Sequence, residues 1–301
     1  MSQSSTFSRS GHSFRSLRII GWLVALTAFT LLQACSAVKL AYNNAPEFAF
    51  WWLDAYVDFN DSQSPLVRTE LARLLQWHRT DELPKIADLL QKVQRLAVSD
   101  IAPAQVCAVY ADARERYNAV VTQAEPAAVT LAMSLKPEQI KHIQSKFNKG
   151  NEEYRREWMG LSPAERLEKR LKSNVERAEE FYGKLEDRQV AILKTALEAS
   201  TFDSTLGFAE RQRRQQDFFQ TLKSASGKSN QTEVLMSLRG YMDRAVNSPN
   251  LAYRTYSDRL AQESCASFSL LHGTTTAEQR TRAVRRLAAY ERDARELSLQ
   301  R

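Results

Sequence analysis

Apolar residues recur along most of this chain at steps of three and four, with charged positions between them. Ile86, Leu89, Leu90, Val93 and Leu96 show the pattern most plainly. That period marks one buried face of an α-helix. Leu71, Leu74, Leu75 and His78 repeat it one segment earlier, behind Ser64-Pro65, a cap followed by a proline at the first helical position. A shorter helix is expected from about Pro46. Pro84 is expected to open the next helix, and Pro103 a longer one through Val106, Tyr110, Tyr117 and Val121, with a break or kink near Pro126. Beyond Lys136 the pattern predicts helices over 137–159, 163–182, 186–200, 204–224, 230–247, 250–271 and 276–299. No stretch alternates as a strand does. The predicted fold class is all-α, an irregular bundle of about ten helices. The uneven spacing argues against a solenoid repeat.

One stretch departs from this period. Ile19 to Leu32 is uncharged and mostly apolar, follows Arg9, Arg15 and Arg18, and ends in Leu32-Gln33-Ala34-Cys35. A basic start, a short apolar run and a small residue before the cut describe a secretory signal peptide. Leucine three residues before a cysteine, with alanine just before it, resembles the bacterial lipobox. The resemblance implies cleavage before Cys35 and a covalent lipid on that cysteine, which would anchor the chain to a membrane. Ser36 stands where aspartate would resemble an inner-membrane retention signal, so the expected address is the outer membrane, facing the periplasm. An uncleaved membrane helix is the rival reading, although fourteen residues are short for a bilayer that needs about 20. A plain secretory peptide, leaving Cys35 as a thiol, is another. The expected organisation is a signal peptide at 1–34, an anchor-proximal aromatic segment at 35–60 and a helical domain at 61–301, with a candidate subdivision near 134.

Loss of residues 1–34 would leave 267 residues and lower the formal charge from +7 to +4. That modest excess does not point to nucleic acid, and a mean hydropathy of −0.46 excludes a polytopic membrane protein. With only nine glycines and eight prolines, the composition favours helix over sheet. If Cys35 is lipidated, Cys107 and Cys265 remain. Two thiols in an oxidising compartment are expected to pair, with two buried free thiols as the alternative.

The chemistry is sparse. His78, His142 and His272 are scattered and no metal-ligand spacing occurs, so no metal or cofactor is expected beyond the lipid on Cys35. No nucleophile elbow, phosphate loop or dinucleotide fingerprint appears, and no catalytic residue is selected. Trp51, Trp52, Asp54, Trp77, His78 and Arg79 form the candidate partner surface, with core packing as the competing account of the aromatics. Arginines at 211, 213 and 214, and again at 280, 282, 285, 286, 292 and 295, make basic helix faces that suit an anionic lipid. Much of that charge is balanced locally, as in Glu278–Arg282 and Glu291–Arg295. The expectation is a non-catalytic envelope protein that binds a protein or lipid partner. A cell-wall or lipid hydrolase is the alternative.

Four helix starts look alike: Leu135-Lys136-Pro137-Glu138-Gln139, Leu161-Ser162-Pro163-Ala164-Glu165, Leu185-Glu186-Asp187-Arg188-Gln189 and Thr275-Thr276-Ala277-Glu278-Gln279. They resemble the Leu-Thr-x-x-Gln motif of the Spy/CpxP-type periplasmic chaperones, which would imply binding of damaged clients. Helix capping explains the same pattern, since a residue at N3 reaches back to the cap. More specifically, Cys35-Ser36, Tyr42-Asn43, Trp51-Trp52-Leu53-Asp54, Tyr56-Val57-Asp58, Gln63, and Trp77-His78-Arg79 with Glu82-Leu83-Pro84 resemble a proteobacterial lipoprotein family of unknown function. That resemblance covers about residues 35–90. It implies an envelope lipoprotein and supplies no catalytic residue.

Overall fold

A computed structural model describes residues 38–300. The expected signal peptide and Cys35 lie outside the described residues. Two compact units divide the chain, Met1–Asn44 and Ala45–Arg301. In the first, residues 38–43 are helical and the Asn44 side chain donates to the Leu40 carbonyl at 2.8 Å.

The second unit is helical throughout, with no strand among the described residues. Its elements are α1 (Ala45–Val57), α2 (Gln63–Trp77), a π-helical turn (His78–Glu82), α3 (Leu83–Leu96), α4 (Pro103–Ser134) and α5 (Pro137–Tyr154). A second π turn (Arg155–Met159) leads to α6 (Pro163–Tyr182), α7 (Asp187–Glu198), α8 (Ser204–Ala225), α9 (Gln231–Val246), α10 (Leu251–Gly273) and α11 (Ala277–Ser298). The all-α expectation holds.

Of the proline signals, Pro103 opens α4 as expected, and the other three resolve in different ways. Helix α2 begins at Gln63 rather than behind a Ser64 cap, because the Asn60 side chain accepts from the backbone N–H of Ser62 and Gln63, both at 3.0 Å. Pro65 is still in the first turn, where a missing N–H costs nothing. Pro84 stands in the first turn of α3, as expected, but no break precedes it. The π turn carries the helix through, widening the backbone where the proline ring would meet the carbonyl of Thr80. Pro126 leaves α4 unbroken over 32 residues. Pro126 and Thr122 are both exposed, so water can take the hydrogen bond that the proline forgoes.

Two hydrophobic cores fill the unit. The first joins Val57 of α1, Val129 and Ala132 of α4, Ile140 and Ile143 of α5, Leu222 of α8 and Val234 of α9. Phe147, Phe218 and Phe219 pack against it, their ring centroids 5.4 to 5.9 Å apart. The second joins Tyr182 of α6, Leu193 of α7, Leu271 of α10 and Ala283 of α11. Helix α11 also packs along α3. The position near 134 lies inside the first core, since Ala132 and Leu135 on either side of it are both buried there. Helix α4, about 48 Å long at 1.5 Å per residue, reaches from that core to α10, beside the second.

Candidate functional site

The similar helix starts do a structural job. At Lys136, Glu186 and Thr276 the backbone N–H donates to the glutamine three residues on, each at 3.0 Å. The hydroxyl that Lys136 and Glu186 lack is not needed for this half of the box. The glutamines then meet in buried pairs. Gln139 and Gln63 exchange amide hydrogen bonds at 2.7 and 3.2 Å. Gln189 and Gln279 do the same at 2.7 and 3.0 Å. Each amide nitrogen also donates to a backbone carbonyl: Gln139 to Asp58, Gln63 to Ser134, Gln189 to Thr274 and Gln279 to Lys184. One such clasp serves each core. Gln63 was the member that motif spacing missed; its signal is Asn60 three residues before it, where the Asn60 N–H donates to Gln63 at 3.2 Å. Ser162 and Glu165 form an ordinary exposed box, outside either clasp.

The six residues of the candidate partner surface divide. Trp51 and Trp52 stand open on α1, 58 % and 62 % exposed, beside an exposed Phe48. Asp54 accepts from the Phe59 N–H at 2.9 Å and ends α1. Trp77 is half-buried, and His78 is also half-buried, its pKa lowered by burial against the opposing pull of Glu82. Arg79 is buried, which corrects its place on an exposed surface: the π turn carries it inward, where the turn packs against α11. Glu82 on the same turn is fully buried and bonded to Lys85 at 2.7 Å and Arg116 at 3.3 Å.

The site that the fold builds lies elsewhere. A cavity of about 540 Å³ opens between α3, α4, α6, α7, α10 and α11. Val93 and Leu96 of α3, Val106 and Val109 of α4, Phe181 of α6, Leu193 and Leu197 of α7, Leu271 of α10 and Leu287 of α11 make it apolar. Cys107 and Cys265 are joined by a disulfide with Cα atoms 5.5 Å apart, as the cysteine count suggested. Their neighbours Val106 and Ser264 line the cavity, so the bridge ties its α4 and α10 walls together.

Several polar groups around the cavity are hydrogen-bonded within the protein. The Tyr182 hydroxyl donates to Nδ1 of His272 at 2.8 Å, and Nε2 of His272 donates to the Ser99 carbonyl at 2.8 Å. Burial pushes Tyr182 up to about 12 and lowers His272, so the phenol stays protonated and the imidazole neutral. Burial alone would raise Glu263, but hydrogen bonds from Thr201 and Ser200 outweigh it and hold the carboxylate below its ordinary value. The Arg170 guanidinium donates to the Leu197 carbonyl and the Ser200 hydroxyl and lies 4.3 Å over the Phe202 ring. Arg177, Tyr110, Ser264 and Phe268 are exposed lining residues and mark the mouth. Among the described residues no group of three His, Cys, Asp or Glu side chains is placed to hold a metal, and no helix is long and apolar enough to cross a membrane. The cavity has no sequence signal of its own, because its lining residues repeat at the same spacing as core residues. Only Arg170, Asn174 and Arg177, polar residues on the α6 line that continues to Phe181, stand out in retrospect.

No curated protein and no solved structure matches the chain. A family model matches residues 55–240, from the last turn of α1 through most of α9, beginning just after Trp51-Trp52-Leu53-Asp54. That span is more than half of the chain, and the protein belongs to that family, the family of unknown function DUF6279.

Proposed function

We propose that this protein is a lipid-anchored component of the cell envelope that acts by binding, not catalysis, and takes an apolar chain into the cavity between α3, α4, α6, α7, α10 and α11. The observation that carries this reading is the cavity. Its 540 Å³ falls in the ~300–1,000 Å³ of small-molecule sites, and its walls are apolar. The Tyr182 phenol and His272 imidazole are bonded to each other and to the Ser99 carbonyl, and the Glu263 carboxylate accepts from Ser200 and Thr201, where it braces the start of α8 from α10. The anchor reading rests on Leu32-Gln33-Ala34-Cys35, with the periplasmic face of the outer membrane as the proposed address. Phe48, Trp51 and Trp52, exposed on α1 within seventeen residues of Cys35, suit the wet and dry sides of a bilayer interface. Native mass spectrometry of the protein purified from its envelope tests the cavity. An apolar ligand should be retained at one per chain and be lost in Ala178→Phe, which fills the cavity from α6. Retention by that folded variant, or no retained or added apolar ligand at all, sinks the reading.

A further inference from the structure

We infer that the cavity selects an amphiphile with one acyl chain and an anionic head, and that Arg177 at its mouth reads the head. The inference rests on the binding function proposed above and names its ligand class. Arg170, Asn174 and Arg177 follow one another at steps of four and three along the cavity face of α6. The first two are taken up by the fold. Arg170 holds Leu197 and Ser200 at 3.3 and 3.0 Å, and the Asn174 amide donates to the Arg170 carbonyl at 2.8 Å. Glu263, across from Arg170, is bonded to Ser200 and Thr201. That end of the cavity is therefore already neutral and bonded.

Arg177 differs. It is exposed at the mouth and makes no ion pair or hydrogen bond among the described residues. A guanidinium presents five N–H donors in a planar fork that matches a carboxylate or phosphate. Val106, Val109, Phe181, Leu193 and Leu287 make the other walls apolar, and most of the remaining polar lining groups are already hydrogen-bonded within the protein. One charged reader at the rim of an apolar chamber is the arrangement that orients an amphiphile, head out and chain in. The volume of about 540 Å³ suits one acyl chain and is small for two. The anion could be the carboxylate of a fatty acid or the phosphodiester of a lysophospholipid, since both meet the same fork.

Displacement of a fluorescent fatty-acid probe from the delipidated full chain tests this. The competitors are palmitate and lysophosphatidylglycerol, each below its micelle concentration, and hexadecanol below its solubility limit. At least one anion should bind about tenfold more tightly than hexadecanol, and which of the two does so identifies the source. Arg177→Gln should remove that preference and leave hexadecanol unchanged. Arg177→Lys should keep part of it, and Arg285→Gln, on an exposed arginine outside the cavity, should keep all of it. Hexadecanol binding as well as both anions, or an Arg177→Gln protein that still prefers the anion, overturns the inference while the cavity's binding role stands. Failure of the probe and of all three competitors to bind removes the binding role itself.

Discussion

His272 is buried with both ring nitrogens in hydrogen bonds, to Tyr182 and to Ser99, and its pKa is held below 6.5 by that burial. The unfolded chain therefore binds more protons than the folded one just below pH 6.5. The stability that His272 contributes is present above that pH and drains away as the pH falls toward the folded pKa. His78, lowered in the same way, adds to the slope. Asp217, kept low by hydrogen bonds from Arg244 and Arg213, titrates beneath this window. We expect the melting temperature to fall between pH 7.5 and 5, and His272→Gln, less stable at every pH, to show a shallower fall. A variant curve parallel to the wild type would count against this account. The glutamine clasps make a second residue-scale prediction. Gln189→Leu leaves Gln279, the Thr274 carbonyl and the Glu186 N–H short of partners inside the protein. It should cost about 3 kcal/mol by denaturant titration, at ~1–3 kcal/mol for each buried group left unpaired. Ser162→Ala, at an exposed box, should cost only ~1 kcal/mol. Equal costs would mean that the clasp adds nothing. Gln139, Gln189 and Gln279 are legible in the sequence as N3 residues, because capping is a contact across three positions. Their pairing was not legible, since the partners stand 76 and 90 residues apart.

At the scale of elements the apolar period proved reliable and the prolines less so. The spans expected from Pro163 to Tyr182 and near 204–224 are α6 and α8 almost to the residue, each with a side-chain cap from Ser162 or Asp203. The one-residue shift at Ser64, the continuous approach to Pro84 and the unbroken helix at Pro126 share a cause. A proline breaks a helix only where its lost hydrogen bond and its ring have nowhere to go. Here a first turn, a π turn and a solvent-facing carbonyl each absorbed one. The disulfide belongs to this scale too, because it joins two elements that are 158 residues apart in the chain. Loop-closure entropy over that distance gives about 5 kcal/mol. Cys107→Ala with Cys265→Ala should lower the midpoint of unfolding, and dithiothreitol should lower the wild type to the same value without affecting the double variant. A reductant effect on the double variant would place the sensitivity elsewhere.

For the whole molecule, the sequence offers an expected address more plainly than a site. Leu32-Gln33-Ala34-Cys35 is a local string, readable without a fold. Cys35→Ser is expected to move the protein from the detergent phase to the aqueous phase on partition and to lose the mass of the lipid. Unchanged partition would end the anchor reading. The cavity was illegible for the opposite reason: six helices contribute a few apolar residues each, and each contribution taken alone reads as core. The exposed aromatics of α1 were legible as a cluster, but only exposure separates Trp51 and Trp52 from the half-buried Trp77. The placement of α11 carries a consequence in time. A chain made from its N-terminus has every residue of the first core by Val234, whereas the second waits for Ala283, and the Gln189 clasp for Gln279. The two halves are thus assembled in sequence, and Cys107 stays a lone thiol until Cys265 arrives. A chain stopped at Gly273 is short by less than a tenth of its length yet lacks the α11 wall of the cavity and the packing along α3. Hydrogen exchange on that truncation should find α5, α8 and α9 protected and α3, α6 and α7 open. A premature stop late in the reading frame would then spare half of the protein and abolish the half that encloses the cavity.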